Sequence, residues 1–296
     1  MKLYAPKYYK RFKCIADKCS HSCCIGWEID IDESTYEKYH KVTNGYGATI
    51  LDTIENGEYP HFKLQKNDRC PHLDCQGLCK IITCLGEDYL CEICREHPRF
   101  YNDTVNGKEV GLGLSCEEAC RIILGSDEYD EFFVLEELDT ECDELEFDIT
   151  PYRARIFEIL RLDLPFEKRL NIIKEEFNVP FDSVSYEEWL NILSSLEYLE
   201  PLHKDLFMSC DFSRSSKNQK ALERAFAYFV YRHTTQATDS YELTASLGFA
   251  LFCESLLASL SKDNNEPLIA RIISEELEYS LDNTEAVKDL FYKNIL

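Results

Sequence analysis

The chain has 296 residues and a formal net charge of −23, with 55 acidic residues against 32 basic ones. Binding to nucleic acid or to an anionic membrane surface requires a basic face, so this charge argues against both kinds of partner. A basic protein partner is compatible with it, although acidity alone also keeps a protein soluble. The length of the chain predicts one or two domains. Hydrophobic residues make up 45% of the chain, which predicts a sizeable core.

The N-terminal stretch MKLYAPKYYKRFKC is basic and aromatic and contains no long apolar run. No secretory signal is therefore expected, and we expect a cytoplasmic protein whose cysteines stay reduced. The longest apolar stretch, Leu247 to Leu260, is short for a bilayer span and contains Glu254. It predicts a buried core helix rather than a membrane segment.

Cysteines dominate the first part of the chain, where twelve of the 15 lie between residues 14 and 120. In a reducing compartment this density favours metal or iron–sulfur ligation over disulfides. Structural zinc takes four Cys or His ligands and iron–sulfur clusters take four cysteines, so the spacing leaves both open. His21, His72 and His97 lie among the cysteines and are not assigned as ligands. The cysteines form three groups: Cys14, Cys19, Cys23 and Cys24; Cys70, Cys75, Cys79, Cys84, Cys91 and Cys94; Cys116 and Cys120.

Short elements are predicted around these cysteines. The alternation from Trp27 to Ile31 predicts a strand with one buried face. Asn106 and Gly107, flanked by alternating residues, predict a hairpin from Phe100 to Leu114. A helix should follow from Cys116 to Leu124, with Ser115 as its N-cap.

Residues 126–148 are strongly acidic, with twelve Asp or Glu among 23 residues and no Lys or Arg. Either a solvated connector or an acidic docking face would have this composition. From Pro151 onward the hydrophobic spacing is helical. The candidate helices are Arg153–Leu162, Phe166–Phe177, Tyr186–Leu199, Gln219–Thr234, Tyr241–Leu260, Leu268–Tyr279 and Glu285–Lys293.

The predicted fold class is α+β and mainly α, with the cysteine-rich half built from short strands and a hairpin around a metal or cluster site. We expect three parts: a cysteine-rich metal-binding domain at 1–125, an acidic connector at 126–150 and a helical domain at 151–296. The two cysteines furthest along the chain, Cys210 and Cys253, are expected in the helical core. Signatures of radical S-adenosylmethionine enzymes, Rossmann folds and P-loops are absent, and no catalytic or cofactor-binding residue can be assigned.

Four motifs in order carry a resemblance: FKCIADKCSHSCCIGWEIDID, RCPHLDCQGLCKI, LGEDYLCEICREHPRF and GLGLSCEEACRIIL. Together they resemble the flagellin lysine N-methylases, among the cysteine-cluster proteins described as zinc- or iron-chelating. The later segments ALERAFAYFVYRH and EELEYSLDNTEAV are similar as well, whereas residues 126–215 match loosely.

The resemblance implies methyl transfer from S-adenosylmethionine to lysines of flagellin, with a four-iron four-sulfur cluster needed for activity and zinc as the alternative metal. The chain departs from the family pattern at Cys75, Cys84, Cys91 and Cys120, which are additions, and at His97, where the family has Tyr. The ligands implied by the resemblance are Cys14, Cys19, Cys23, Cys24, Cys70, Cys79, Cys94 and Cys116.

Two classes of function follow. The first is a cluster-containing protein lysine methyltransferase. The second is a non-enzymatic zinc- or iron-binding module, in which the metal holds the N-terminal half together and the helical half binds a partner protein.

Overall fold

The computed structural model describes residues 1–43, 45–140, 145–262 and 265–295. The described chain is mainly helical, with two small sheets, as the predicted fold class requires. Its strands are β1 (Lys2–Pro6), β2 (Ile54–Asn56), β3 (Pro60–Phe62), β4 (Arg99–Thr104), β5 (Gly107–Leu112) and β6 (Phe132–Glu137). Its α-helices are α1 (Glu33–Lys41), α2 (Gly45–Leu51), α3 (Lys80–Leu85), α4 (Glu92–Glu96), α5 (Glu117–Leu124), α6 (Thr150–Leu160), α7 (Phe166–Glu176), α8 (Tyr186–Ser195), α9 (Pro201–Met208), α10 (Gln219–His233), α11 (Ser240–Leu260), α12 (Glu266–Ile273) and α13 (Leu281–Ile295).

The chain divides into two compact units. The cysteine unit comprises residues 13–98, and the helical unit comprises residues 1–12 together with 99–296. The limits of these two units do not coincide with the expected domain boundaries at residues 125 and 150. The reason is strand pairing: β1 pairs with both β5 and β6, which joins the N-terminal residues to the helical unit.

The four-stranded sheet of the helical unit has the order β4-β5-β1-β6. The predicted hairpin is confirmed, because β4 and β5 are antiparallel with Thr104 paired to Gly107. Gly107 has a φ of +140°, a conformation that other residues rarely adopt. β1 runs parallel to β5 and antiparallel to β6.

The acidic segment is more ordered than a simple connector, because it contains β6. Its acids also pair with basic residues of the same unit: Arg224 donates to Asp127 at 2.8 Å, and Arg161 donates to both Asp130 carboxylate oxygens. Residues 141–144 of this segment, including Cys142, lie outside the described residues.

The core of the helical unit forms around α11, which confirms the predicted buried helix. In the described chain α11 is long and apolar enough to cross a membrane, yet 94% of its most apolar window is buried inside the protein. Gly248 permits this packing, because a Cβ there would lie 2.4 Å from the ring of Phe291 on α13. α9 was not predicted, although Pro201 occupies a first-turn position that favours helix starts.

The cysteine unit has a small core of its own around the two-stranded sheet β2–β3. The segment predicted as a strand has the expected alternation, with Ile29 and Ile31 buried at 4% and 3% exposure. It pairs with β3 only through isolated bonds, such as Ile31 N–H to Pro60 O at 2.8 Å, so it is extended backbone rather than a strand.

Candidate functional site

Six cysteines of the cysteine unit form one neighbourhood, which we call the cysteine group: Cys23, Cys24, Cys70, Cys79, Cys91 and Cys94. Cys70 and Cys91 belong to the buried core of the unit, while Cys24, Cys79 and Cys94 pack against that core. The fourteen described cysteines form no disulfide. Five of the six were predicted as ligands, and Cys91 is the additional member.

Antiparallel backbone pairing brings the first two motifs together. The Cys70 N–H donates to the Cys24 carbonyl at 2.9 Å, and Ile25 bridges Arg69. Residues far apart in sequence therefore become neighbours, because paired extended segments place their side chains within about 5 Å of each other. This pairing explains how the motif near residue 20 and the motif near residue 70 contribute to one site.

A tight loop returns the chain from Cys70 to Cys79. The Asp74 carboxylate accepts hydrogen bonds from the backbone N–H groups of Gln76 and Leu78, both at 2.8 Å. Leu73 then bridges Cys79, the residue that precedes α3. The turn-rich composition thus produces the knuckle-like loop that the sequence indicates.

Asp32 fixes the position of Cys91 and Cys94. Its carboxylate accepts from Thr35 N–H at 3.0 Å, capping α1, and from Glu92 N–H at 2.8 Å, at the start of α4. Burial opposes its ionisation, but these bonds outweigh burial and lower the pKa of Asp32. A single carboxylate therefore ties α4, which contains Cys94 and directly follows Cys91, to α1.

The thiols of the group influence each other electrostatically. Cys91 and Cys94 have their sulfur atoms 3.7 Å apart. Burial, together with the charge of neighbouring cysteines, raises the pKa of Cys70 to about 12. The hydrogen bond with Cys91 and then burial raise the pKa of Cys94, whereas the hydrogen bond with Cys23 lowers the pKa of Cys24 to about 7.

This donor set fits a thiolate-bound metal. Buried thiolates repel one another, and a cation among them removes that repulsion, which is why sulfur-rich sites select zinc or iron–sulfur clusters. Within the described residues, however, no three His, Cys, Asp or Glu side chains converge on a point suited to a metal ion. The cysteine group is thus a set of neighbouring thiols, and its role as a ligand set stays a prediction.

His72 has a structural role in the cysteine unit. It is 3% exposed, and its two ring nitrogens lie 2.9 Å from the Tyr46 hydroxyl and 3.0 Å from the Thr53 hydroxyl. Both nitrogens are therefore occupied by hydrogen bonds. Its ring also packs edge-on against Phe62 at 4.6 Å. His72, which precedes the loop around Asp74, therefore supports the fold rather than adding a metal ligand.

The remaining predicted ligands are placed differently. Cys14 is exposed, and Cys19 donates its thiol hydrogen to the His21 carbonyl at 2.6 Å. Cys116 belongs to the helical unit, where it directly precedes α5. Their participation in one common site with the cysteine group stays a prediction.

The structure separates the added cysteines into two kinds. Cys75 and Cys84 are exposed, whereas Cys91 is fully buried in the cysteine group. Cys120 is buried in the helical unit and donates to the Pro267 carbonyl at 3.2 Å. Cys91 was predicted to be an addition to the family pattern and was not among the implied ligands, although its Cys-x-x-Cys spacing from Cys94 is a recognised metal-ligand signal.

Cys210 and Cys253, which lie outside the motifs, are core residues, as predicted. Cys210 is 1% exposed and Cys253 is 0% exposed, and burial raises the pKa of both thiols. Inert buried cysteines of this kind behave as small hydrophobic side chains. They provide matched controls for the cysteine group.

The helical unit also contains an open cleft of about 420 Å³, a size that suits a small ligand. Its described walls carry two carboxylates, Asp103 and Glu146, and no Lys or Arg. Such a lining favours a cationic ligand. The lining residues are Tyr101, Asn102, Asp103, Thr104, Leu145, Glu146, Phe147, Ile149, Thr235, Gln236, Ala237 and Thr238.

Comparison with curated proteins finds similarity to the flagellar biosynthetic protein FliU of Salmonella muenchen. The two are 32% identical over 126 residues, which cover 40% of this chain and 75% of that protein. The lysine-N-methylases of Salmonella typhimurium (strain LT2) and Salmonella choleraesuis (strain SC-B67) are 31% and 30% identical over 126 residues. These matches cover 40% of this chain but only 31% of each methylase. No family model matches the chain, and no solved structure matches it.

Proposed function

Because the chain belongs to the flagellin lysine N-methylase family, we propose that it is a protein lysine N-methyltransferase. We propose S-adenosylmethionine as the methyl donor and flagellin as the acceptor protein. Two of the similar proteins carry the name lysine-N-methylase, and the third carries a flagellar name. These names support the reaction class and the substrate.

The charge of the chain supports a basic, lysine-bearing substrate. A net charge of −23 attracts such a protein over long range and accelerates its association. The cleft offers an ammonium or sulfonium group the carboxylate of Glu146 and that of Asp103, whose charge is partly offset by Lys108 at 3.3 Å. We propose that one of the two cationic reactants binds there.

The transfer itself requires an uncharged amine. The lysine nitrogen attacks the methyl carbon, the N–C bond forms as the S–C bond breaks, and the amine proton passes to a base or to water. Desolvation lowers the pKa of a lysine, whereas nearby carboxylates raise it. The carboxylates of the cleft therefore serve recognition, and activation requires that the bound amine be shielded from water.

We further propose that the cysteine group holds a four-iron four-sulfur cluster, with zinc as the alternative. Cys24, Cys70, Cys79 and Cys94 are the family positions that the fold brings together, and Cys91 joins them. When bound, the cluster core would supply positive charge that offsets part of the thiolate charge. The residues of this unit hold it through the pairing of Cys24 with Cys70, the Asp74 loop and the Asp32 cap.

The observation that carries the proposal is that family cysteines from distant motifs lie in or pack against one small core. The experiment is methyl transfer from labelled S-adenosylmethionine to unmethylated flagellin, read by mass spectrometry of its lysines. Wild-type protein should add methyl groups, and Cys70→Ser should add none.

Cys253→Ser is the matched control, because Cys253 is as buried as Cys70 but lies in the core of the helical unit. It should keep the methyl transfer of the wild type. Metal-loaded wild-type protein that adds no methyl group to flagellin would instead identify the chain as a non-enzymatic metal-binding module.

A further inference from the structure

The outer edge of the four-stranded sheet forms one wall of the cleft in the helical unit. In the described chain, β4 is the outermost strand of the order β4-β5-β1-β6. Residues 101–104 of β4 all line the cleft, although their burial alternates between exposed and buried. Consecutive side chains of a strand point to opposite faces of the sheet. A cleft that meets four consecutive residues therefore lies along the edge of the strand rather than on one face.

The register of the hairpin shows which backbone groups point out of that edge. Thr104 pairs with Gly107 across a two-residue loop, so these two residues exchange the hydrogen bonds that close the hairpin. Hydrogen-bonded and non-hydrogen-bonded pairs alternate along antiparallel strands. Asn102 therefore bonds to β5, whereas Asp103 directs its N–H and its carbonyl away from β5. No described backbone group bonds to Asp103 on that outer side.

The rest of the lining complements a peptide chain. Asn102 and Gln236 contribute side-chain amides, which are linked to each other at 3.4 Å and match the donors and acceptors of a peptide bond. The lining part of β4 spans about 10 Å at a rise of ~3.3 Å per residue, enough to pair with roughly three or four residues of an added strand. All of the lining residues belong to the helical unit.

Charge decides which peptides suit the cleft. The Asp103 carboxylate lies 3.3 Å from Lys108, its partner across the hairpin, whereas Glu146 forms no ion pair with a described residue. Phe147 follows Glu146 in the same wall, and its ring stacks on that of Tyr152 at 5.3 Å. A lysine side chain fits such a wall, because its apolar stem packs on a ring while its ammonium group meets a carboxylate.

We propose that the cleft binds an extended, lysine-bearing segment of the acceptor protein, which adds as a further strand to the outer edge of β4. The inference rests on the proposed function, which supplies a lysine-bearing acceptor, and it assigns the cleft to that acceptor rather than to the methyl donor. A small sulfonium compound lacks the row of N–H and carbonyl groups that pairs with a strand edge. Main-chain pairing along an open edge gives affinity, and the neighbouring side-chain wall gives specificity.

The test compares two substitutions at one position of the full chain. Asp103→Pro removes the outward N–H, and proline is tolerated on an edge strand where that N–H lies outside the ladder. Asp103→Asn removes the charge but keeps the N–H. In titrations with labelled, unmethylated flagellin, Asp103→Pro should bind roughly 10-fold more weakly than Asp103→Asn, because a main-chain hydrogen bond is lost.

Val134→Pro is the matched control for a proline at a sheet edge. The Lys7 N–H donates to the Glu131 carbonyl at 2.7 Å, and alternation along β6 from this bond directs the N–H of Val134 away from β1. Val134 thus occupies an outward position on β6, the other edge strand, and does not line the cleft. Its substitution should leave the affinity for flagellin unchanged.

A second measurement uses the wild-type protein and does not depend on the folding of a variant. Bound flagellin should slow the amide exchange of Asp103 and leave that of Asn102, already bonded to β5, unchanged. A synthetic peptide of alternating threonine and valine with one central lysine should protect the same amide. The same peptide with N-methylated amides should not bind, because it has lost its main-chain donors.

The outcomes separate docking from the reaction. Flagellin that protects the Asp103 amide but gains no methyl group overturns the methyltransferase proposal and supports the docking site. Equal affinities of the wild type, Asp103→Pro and Asp103→Asn, with unchanged exchange at Asp103, overturn the docking site even if flagellin is methylated. Absence of binding by both flagellin and the synthetic peptide overturns it as well.

Discussion

Removal of the metal should unfold the cysteine unit and leave the helical unit folded. Within the described residues, the core of the cysteine unit contains nine buried aliphatic or aromatic side chains and two cysteines. At about 1.5–3 kcal/mol for each of the nine, their burial contributes roughly 14–27 kcal/mol, as an upper bound. A thiolate-held structural metal contributes about 10–16 kcal/mol.

The metal contribution is thus comparable with a large part of the contribution of that core, and also with the net stability of a typical domain, about 5–15 kcal/mol. Among the described residues of the helical unit, the main core contains 53 buried hydrophobic residues and needs no such addition. Hydrogen exchange, measured before and after anaerobic chelation, should therefore show lost protection at residues 13–98 and retained protection in α10 and α11.

Two results would refute this reasoning. Unchanged protection at residues 13–98 would mean that the cysteines do not hold the unit together. Equal loss in both units would mean that they unfold as one cooperative body around the metal.

Three further predictions concern single positions and the acidic segment. Cys91→Ser should lower the metal content of the protein, as replacement of a ligand does, whereas Cys84→Ser should not, because Cys84 is exposed. Equal metal content in the two purified variants would remove Cys91 from the ligand set. Arg153→Met leaves Glu109 buried without its partner and should cost about 3–5 kcal/mol. Arg155→Met on the same helix breaks solvent-exposed pairs and should lower the melting temperature far less, so equal melting temperatures of the two variants would contradict this. Neutralising several acids within residues 127–148 should slow association with flagellin at low salt, and added salt should shrink the difference from wild type; an unchanged rate would leave the segment without a docking role.

The sequence predicted local structure well where the signal was local. The α11 stretch is apolar nearly all round, and the pair Asn106-Gly107 is a strong turn signal, so the central helix and the hairpin were both found. β1 and β6 were missed for the opposite reason. Their pairing joins residues about 130 positions apart, and neither the basic N-terminal arm nor the acidic segment has a local strand pattern.

The sequence indicated the type of residue at the candidate site, but it did not indicate which individual cysteines lie together. Density and spacing identified the cysteines as ligand candidates, and the resemblance narrowed them to eight. Only the fold shows that Cys91 is buried beside Cys94 while Cys75 is exposed, because burial depends on the loop around Asp74 and the cap by Asp32.

The most direct test of the account is the iron and acid-labile sulfide content of anaerobically purified full-length protein, measured alongside its Cys70→Ser variant. The account predicts about four iron and four sulfide per chain in the wild type, with broad visible absorption, and their loss in the variant. Stoichiometric zinc without sulfide would replace the cluster by a zinc site at the same cysteines. Wild-type protein with neither metal, or a variant with undiminished iron, would contradict the assignment of the cysteine group as the metal centre.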